Sequence, residues 1–195
     1  MLRKSLVLGL ALLVTSPVLA ATYEMDAVHS TIGFAVKHLV VGTTRGQFNT
    51  YSGTVEYDPK NLSGFKSDVT IDAASIDTKN ADRDKHLKSA DFFDVEKFPS
   101  ITFKNAVLVK SKKNKVLSIV GDLTIKGTTK KVTIPVEISG PIVSPFGFDV
   151  VGITGEVMIN RQDFGMTFSK ALDNGGLMVS NDVKIIVELE LHSKK

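Results

Sequence analysis

An antiparallel all-β barrel is the fold this 195-residue sequence predicts. Three observations lead there. Apolar and polar residues alternate with period 2 in about eight separate runs. Turn signals fall between the runs. One short segment breaks the pattern with helical spacing.

The runs come in order. Ile32, Phe34, Val36 and His38 share one parity of the first. Val55 and Tyr57 follow, then Val69, Ile71 and Ala73, then Ile101 and Phe103. Leu117 to Ile125 alternates against Ser118, Asp122, Thr124 and Lys126. Val132, Ile134, Val136 and Ile138 alternate against Lys131, Thr133, Glu137 and Ser139. Val151 to Ile159 and Val183 to Leu191 complete the set. Asp58-Pro59, Lys126-Gly127, Gly140-Pro141 and Asn174-Gly175-Gly176 supply turns. Half-apolar strands with short connections pair antiparallel, one face buried and one wet. Some eight of them close into a barrel that is either filled by its own side chains or holds one small ligand. Pro135, on the polar parity, predicts an edge or a bulge.

Thr78 to Pro99 is the exception, and a short helix is expected near residues 80–93. Arg83, His86, Leu87 and Ala90 sit at i, i+3, i+4 and i+7, so they share a helical face. An arginine and a histidine on a core-facing stripe are unusual. Two adjacent phenylalanines, Phe92 and Phe93, follow it. They are expected to diverge, one into the core and one to a cavity mouth.

The chain starts with an address. Arg3 and Lys4 precede an apolar run from Leu6 to Val14, Pro17 breaks it, and Val18-Leu19-Ala20 provides a small-residue cleavage site. The run is too short to span a bilayer, which needs about 20 residues. Cleavage after Ala20 is expected, leaving one domain over residues 21–195. It removes two of the 24 basic residues, so the net charge falls from +3 to about +1. No nucleic-acid partner is expected. The basic run Lys110–Lys115 reads as a solvated turn between strands. There is no cysteine, which excludes disulfides, thiol chemistry and thiolate metal sites.

An outer-membrane barrel shares the alternation but carries aromatic girdles. This chain has no Trp, three Tyr and no terminal aromatic. The four histidines show no His-x-His or His-x-x-x-His pair, so no metal site is expected. His29 and Ser30 are neighbours on opposite strand faces, a poor geometry for a nucleophile and its base. No phosphate loop, nucleophile elbow or dinucleotide fingerprint is present. Neither an enzyme nor a cofactor is expected.

Several segments together carry a family resemblance: Asp26-Ala-Val-His-Ser-Thr-Ile-Gly-Phe-Ala-Val-Lys-His-Leu39, Gly46-Gln-Phe48, Ser75-Ile-Asp-Thr78, Arg83-Asp-Lys-His-Leu87, Asp91-Phe-Phe-Asp94, Phe98-Pro-Ser-Ile-Thr-Phe103, Gly121-Asp-Leu-Thr-Ile-Lys-Gly127 and Arg161-Gln-Asp-Phe-Gly165. In that order the chain resembles the YceI-like family of bacterial periplasmic proteins. The resemblance implies an eight-stranded lipocalin-like barrel with a helix at one end. It also implies an apolar tunnel for an isoprenoid lipid or similar long-chain amphiphile, carried in the periplasm. A homodimer and a transient contact with a membrane or membrane protein are compatible with such a role.

The expected ligand-binding residues follow. Phe34, Val36, His38, Ile71, Phe103, Leu123, Phe164 and Met166 face a tail, with Leu87, Phe92 and Phe93 at the helix. For Arg83 and His86 two readings stand side by side. They hold a polar head, since Arg is a fixed fork of donors and His adds one or two more. Or they pin the helix to the rim, with Asp91 or Asp163 as a partner for Arg83. The stretch containing Met166, Phe168, Leu172, Leu177 and Met178 is either a lid or a plain closing hairpin. Two other functions are compatible with these residues: an enzyme acting on a prenyl lipid through His86 or His38, and a stress-related interaction module with a filled barrel.

Overall fold

The computed structural model describes residues 20–113, 115–170 and 177–194. All of the expected leader except Ala20 lies outside them, as do Leu172 and the Asn174-Gly175-Gly176 turn.

Eleven strands and one α-helix are seen among the described residues: β1 (Ala21–Met25), β2 (Thr31–His38), β3 (Gly42–Phe48), β4 (Tyr51–Tyr57), β5 (Lys66–Asp72), β6 (Ile76–Asp77), α1 (Ala81–Lys88), β7 (Ser100–Lys110), β8 (Leu117–Ile125), β9 (Thr128–Val143), β10 (Asp149–Asn160) and β11 (Val179–Ser193). Single 3-10 turns lie at Leu62–Gly64, Ala73–Ser75 and Arg161–Phe164. All pairings are antiparallel, in the order β1-β4-β5-β7-β8-β9-β10-β11, and β11 returns to β1 to close an eight-stranded barrel. β11 is long enough to take a second partner on the same edge. Its C-terminal part pairs β1 (Tyr23 opposite Ser193) and its N-terminal part pairs β2 (Val187 opposite Ile32). β3 and the short β6 extend the wall from β2.

The period-2 pattern orients each strand. In β5, Ser67, Val69 and Ile71 are buried, and Lys66, Asp68, Thr70 and Asp72 are exposed. The apolar parity therefore points inward, opposite to a lipid-facing barrel. Pro135 has a strand on one side only: it faces Ser118 of β8, and the ladder to β10 starts at Val136. That local edge is where a residue without an N–H does least harm. β7 ends at Lys110 and β8 starts at Leu117, so the basic run is the expected turn.

Two buried clusters fill the barrel. One, at the helix end, includes Phe48, Ile76, Ile101 and Phe164. The other, at the opposite end, includes Tyr23, Tyr57, Phe65 and Leu191. Met25, Phe103, Ile134 and Leu189 border both.

Helix α1 is shorter than the expected 80–93. Asn80 caps it, its side chain accepting from the Arg83 N–H at 2.9 Å. Asp82 and Asp84 stand in the first turn, and Lys85, His86 and Lys88 in the last, each favourable to the helix dipole. Ser89 leaves the helical region, its N–H donating to the His86 carbonyl. Consecutive turns then carry the chain to β7.

Candidate functional site

A cavity of about 190 Å³ runs inside the barrel between the two clusters. Its wall is apolar except for Ser67 and Arg161. Phe34 and Val36 of β2, Ile71 of β5, Phe103 of β7 and Leu123 of β8 line it, on the parity read from the sequence. Met166 lines it from the turn after β10, and Leu87, Phe92 and Phe93 from the helix end. Phe92 and Phe93 both reach it. They sit in successive turns rather than on a strand, so adjacent side chains are not forced to opposite faces.

Two glycines make room for aromatic wall residues. A Cβ on Gly46 would stand 2.5 Å from the Phe34 ring, and one on Gly121 would stand 2.5 Å from the Phe103 ring. In each case the far end of the ring, its Cζ, reaches over the glycine. Periodicity gave no sign of this close approach.

Four expected site residues lie off the cavity wall. Arg83 is exposed, and its guanidinium turns back on the chain: Nε donates to Thr78 Oγ1 at 2.7 Å and Nη2 to the Thr78 carbonyl at 2.8 Å. Neither Asp91 nor Asp163 pairs with it. His86 is also exposed, with Nε2 2.9 Å from Asp91 Oδ2. Its ring stands edge-on to Phe92 and Phe168, at 5.1 and 4.8 Å. The shared face of Arg83 and His86 therefore looks outward. Asp84, Leu87 and Lys88 are the half-buried side of α1, and Asp84 accepts from the Thr78 N–H and hydroxyl. His38 keeps the inward parity, but β2 has run past the barrel rim there, one residue before the turn, and the imidazole is exposed. Phe164 is buried in the helix-end cluster (2% exposed), behind the wall rather than on it. Of the stretch read as lid or hairpin, Met166 is buried, and Phe168 packs on Phe92 at 5.2 Å.

Arg161 is the cation the sequence reading passed over. It is 3% exposed and lines the cavity. Nε donates to the Ser180 carbonyl at 3.0 Å, Nη1 to the Met166 carbonyl at 2.6 Å, and Nη2 to Asn181 Oδ1 at 3.1 Å and more weakly to the Val179 carbonyl at 3.5 Å. All four acceptors are neutral, and among the described residues no carboxylate pairs with it. Desolvation pushes its pKa down. In sequence Arg161 stands only as the first residue of Arg161-Gln-Asp-Phe-Gly165, at the end of a strand. Only the return of β11 across the end of β10 buries it.

A second polar group sits outside the barrel, where the β1–β2 connection crosses β11. His29 Nδ1 is 2.6 Å from Asp26 Oδ2, and His192 Nε2 is 2.8 Å from Glu190 Oε1. The Asp26 carboxyl is held below the ordinary carboxylate range, first by the His29 hydrogen bond and then by the Val28 N–H. The His29 imidazole is raised by the same Asp26 bond.

The YceI-like domain model matches residues 23–191, all of the barrel but the outer ends of β1 and β11. The chain belongs to the YceI-like family. Among YceI-like relatives, the UPF0312 proteins of Staphylococcus aureus are 40% identical over 169 residues, covering 86% of this chain and 95% of theirs. The crystal structure of Burkholderia cenocepacia BcnA is 25% identical, with a TM-score of 0.73 over 85% of this chain and 98% of that one. A polyisoprenoid binding domain from Saccharophagus degradans shares the fold, with a TM-score of 0.58 at 14% identity, over 90% of this chain and 99% of its own.

Proposed function

We propose that this YceI-like protein holds the tail of an isoprenoid-type or similar long-chain lipid inside its barrel, and carries that lipid in the periplasm. The observation that carries the reading is the cavity inside the barrel, whose wall is hydrocarbon except at Ser67 and Arg161. The S. degradans domain, named for polyisoprenoid binding, supports it through a shared fold. A water-sized group needs roughly 10–15 Å³ by the same measure, so about 190 Å³ admits on the order of 15 carbons. Burying ~15 methylene-like groups at ~0.8 kcal/mol each gives roughly 12 kcal/mol gross. Association costs about 4–15 kcal/mol. A tail of this length therefore binds modestly, and a longer one gains only where the phenylalanine wall gives way.

Arg161, not Arg83 or His86, is the head-group contact in this reading. A guanidinium has five N–H donors. Four bonds occupy it, so one N–H on Nη1 and the whole positive charge remain for a ligand oxygen. The placement of the acid–base candidates His38 and His86 off the cavity wall supports binding over turnover. The turn Leu39-Val40-Val41 extends exposed apolar side chains from the end of β2, next to Lys37, and is the natural point of contact with a donor membrane. The leader at residues 1–20 supports a periplasmic address.

The test is organic extraction and mass spectrometry of protein purified from its exported fraction, followed by loading with a defined prenyl lipid. A stoichiometric amphiphile, or saturable loading that fails with a bulky Gly121→Val wall, supports the reading. A protein that carries none and takes up none sinks it.

A further inference from the structure

Two histidines that are far apart in sequence, His29 and His192, flank the same two carboxylates on the outer face of the barrel. β1 ends at Met25 and β2 starts at Thr31, and the connection between them lies across Glu190 of β11. It is tied down at both ends. The Asp26 N–H donates to the Glu190 carbonyl at 2.9 Å, and the Glu190 N–H donates to Ser30 Oγ at 2.9 Å. Tyr51 fixes Ser30 in turn, its hydroxyl donating to the Ser30 carbonyl at 2.6 Å. The Val28 N–H occupies Asp26 Oδ1 at 2.8 Å, so Oδ2 is the oxygen presented outward. Phe148 packs on the His192 ring at 4.5 Å.

Asp26, His29 and Glu190 each offer a donor atom within 4.8 Å of the other two, and His192 flanks the same two carboxylates. His29 Nδ1 lies 2.6 Å from Asp26 Oδ2 and 3.8 Å from Glu190 Oε1. His192 Nε2 lies 3.6 Å from Asp26 Oδ2 and 2.8 Å from Glu190 Oε1. A tetrahedral site with bonds of ~2.0–2.1 Å has edges of about 3.3 Å. Of the six edges such a site has, the four between an imidazole and a carboxylate bracket that value, two shorter and two longer. The short pair are hydrogen bonds that an ion would replace. The set of two imidazoles and two carboxylates suits zinc-class ions, and the two carboxylate charges neutralise a divalent one. Asp26 is held to the backbone of β11 and its side chain is only 15% exposed, whereas the His29 side chain is 62% exposed. The site thus has a half-buried floor at Asp26 and an exposed outer ligand at His29.

We propose that Asp26, His29 and Glu190, with the flanking His192 turning in as a fourth ligand, form a divalent transition-metal site of the zinc class on the outside of the barrel. It is remote from the cavity wall, since none of the four lines the cavity. The function read from the cavity neither requires it nor follows from it.

The experiment uses untagged protein stripped with chelator, titrated calorimetrically with zinc and, in parallel, spectroscopically with cobalt(II). One equivalent of saturable zinc, with the intense visible bands of four-coordinate cobalt, is the expected result. His29→Ala and His192→Ala are each expected to weaken zinc at least tenfold, and the double variant to abolish it, with circular dichroism unchanged. No saturable equivalent in the parent protein overturns the proposal. So does zinc or cobalt binding that the double variant retains, because His38 or His86 would then be the ligand.

Discussion

Replacing Arg161 with methionine tests how the open end of the barrel is held. Methionine fills much of the volume but offers no donor. The Met166 and Ser180 carbonyls, which Arg161 meets at 2.6 and 3.0 Å, lose their partner together with Asn181 Oδ1 at 3.1 Å. A net ~1.5–3 kcal/mol is typical of a hydrogen bond to a charged group. The two short bonds thus represent roughly 3–6 kcal/mol. Against this stands the burial of a cation at 3% exposure without a paired carboxylate among the described residues, a cost the variant no longer carries. The balance is a loss of about 2–4 kcal/mol. For a domain of this size each kcal/mol moves Tm by about 2–4 °C, so a loss near 3 kcal/mol lowers Tm by roughly 6–12 °C. Urea unfolding followed by far-ultraviolet circular dichroism measures it, with a midpoint shift of about 1–2 M for a slope near 2 kcal/mol/M. Lipid bound to the parent would inflate the difference by mass action, so both proteins are delipidated first. A loss under about 0.5 kcal/mol refutes the reasoning. It would mean that the guanidinium's desolvation cancels its bonds, and that Arg161 is kept for the ligand alone.

Other outcomes follow from the same geometry. Gly121→Val drives a side chain into the Phe103 ring, 2.5 Å from the new Cβ, and pushes that ring into the cavity. Stability is expected to fall by about 1–3 kcal/mol from overpacking, and affinity for a prenyl probe in a fluorescence displacement assay to fall at least tenfold. Unchanged affinity would place the ligand elsewhere. Arg83→Ala breaks two bonds to Thr78 outside the cavity. It should leave probe affinity within twofold, whereas Leu87→Ala, on the wall, should alter it. A collapse of affinity in Arg83→Ala would restore the head-group role to α1. Asp122 has its carboxyl held below the ordinary range, first by the hydrogen bond from Asn105 and next by Lys131. A lowered folded pKa adds stability above the unfolded pKa, and that stability is lost as pH falls through the folded value. Asn105→Gly keeps the left-handed backbone (φ 52°) and removes the bond. Its stability deficit should be present at pH 6 and shrink by pH 3. A deficit independent of pH would show that the backbone, not the carboxylate, carries the effect.

Much of the barrel was legible in the residue order. Alternation is imposed by the pleat itself, so β5, β8 and the inner parity of β2 could be read directly. The strands that were missed are those the pleat marks least. β1 buries only Tyr23, and β3 buries only Phe48 at its end, because it projects beyond the rim with water on much of both faces. The helix was seen, but its orientation was read from one stripe. A helix at a barrel end is covered on a narrow side only, and there Leu87 sufficed while Arg83 and His86 faced solvent.

Fold class, the apolar inner face and most of the cavity wall are written in the residue order. Periodicity is a local property, and each wall residue announces itself by its neighbours two positions away. Tertiary structure alone decided which cation is buried. Arg161 is indistinguishable in sequence from a rim arginine until β11 brings the Val179 and Ser180 carbonyls and Asn181 around it, beside the Met166 carbonyl of its own turn. It also decided that Asp26-x-x-His29 and Glu190-x-His192 are one cluster. Barrel closure between the first and last strands sets two ends of the chain side by side, and no local pattern encodes that closure.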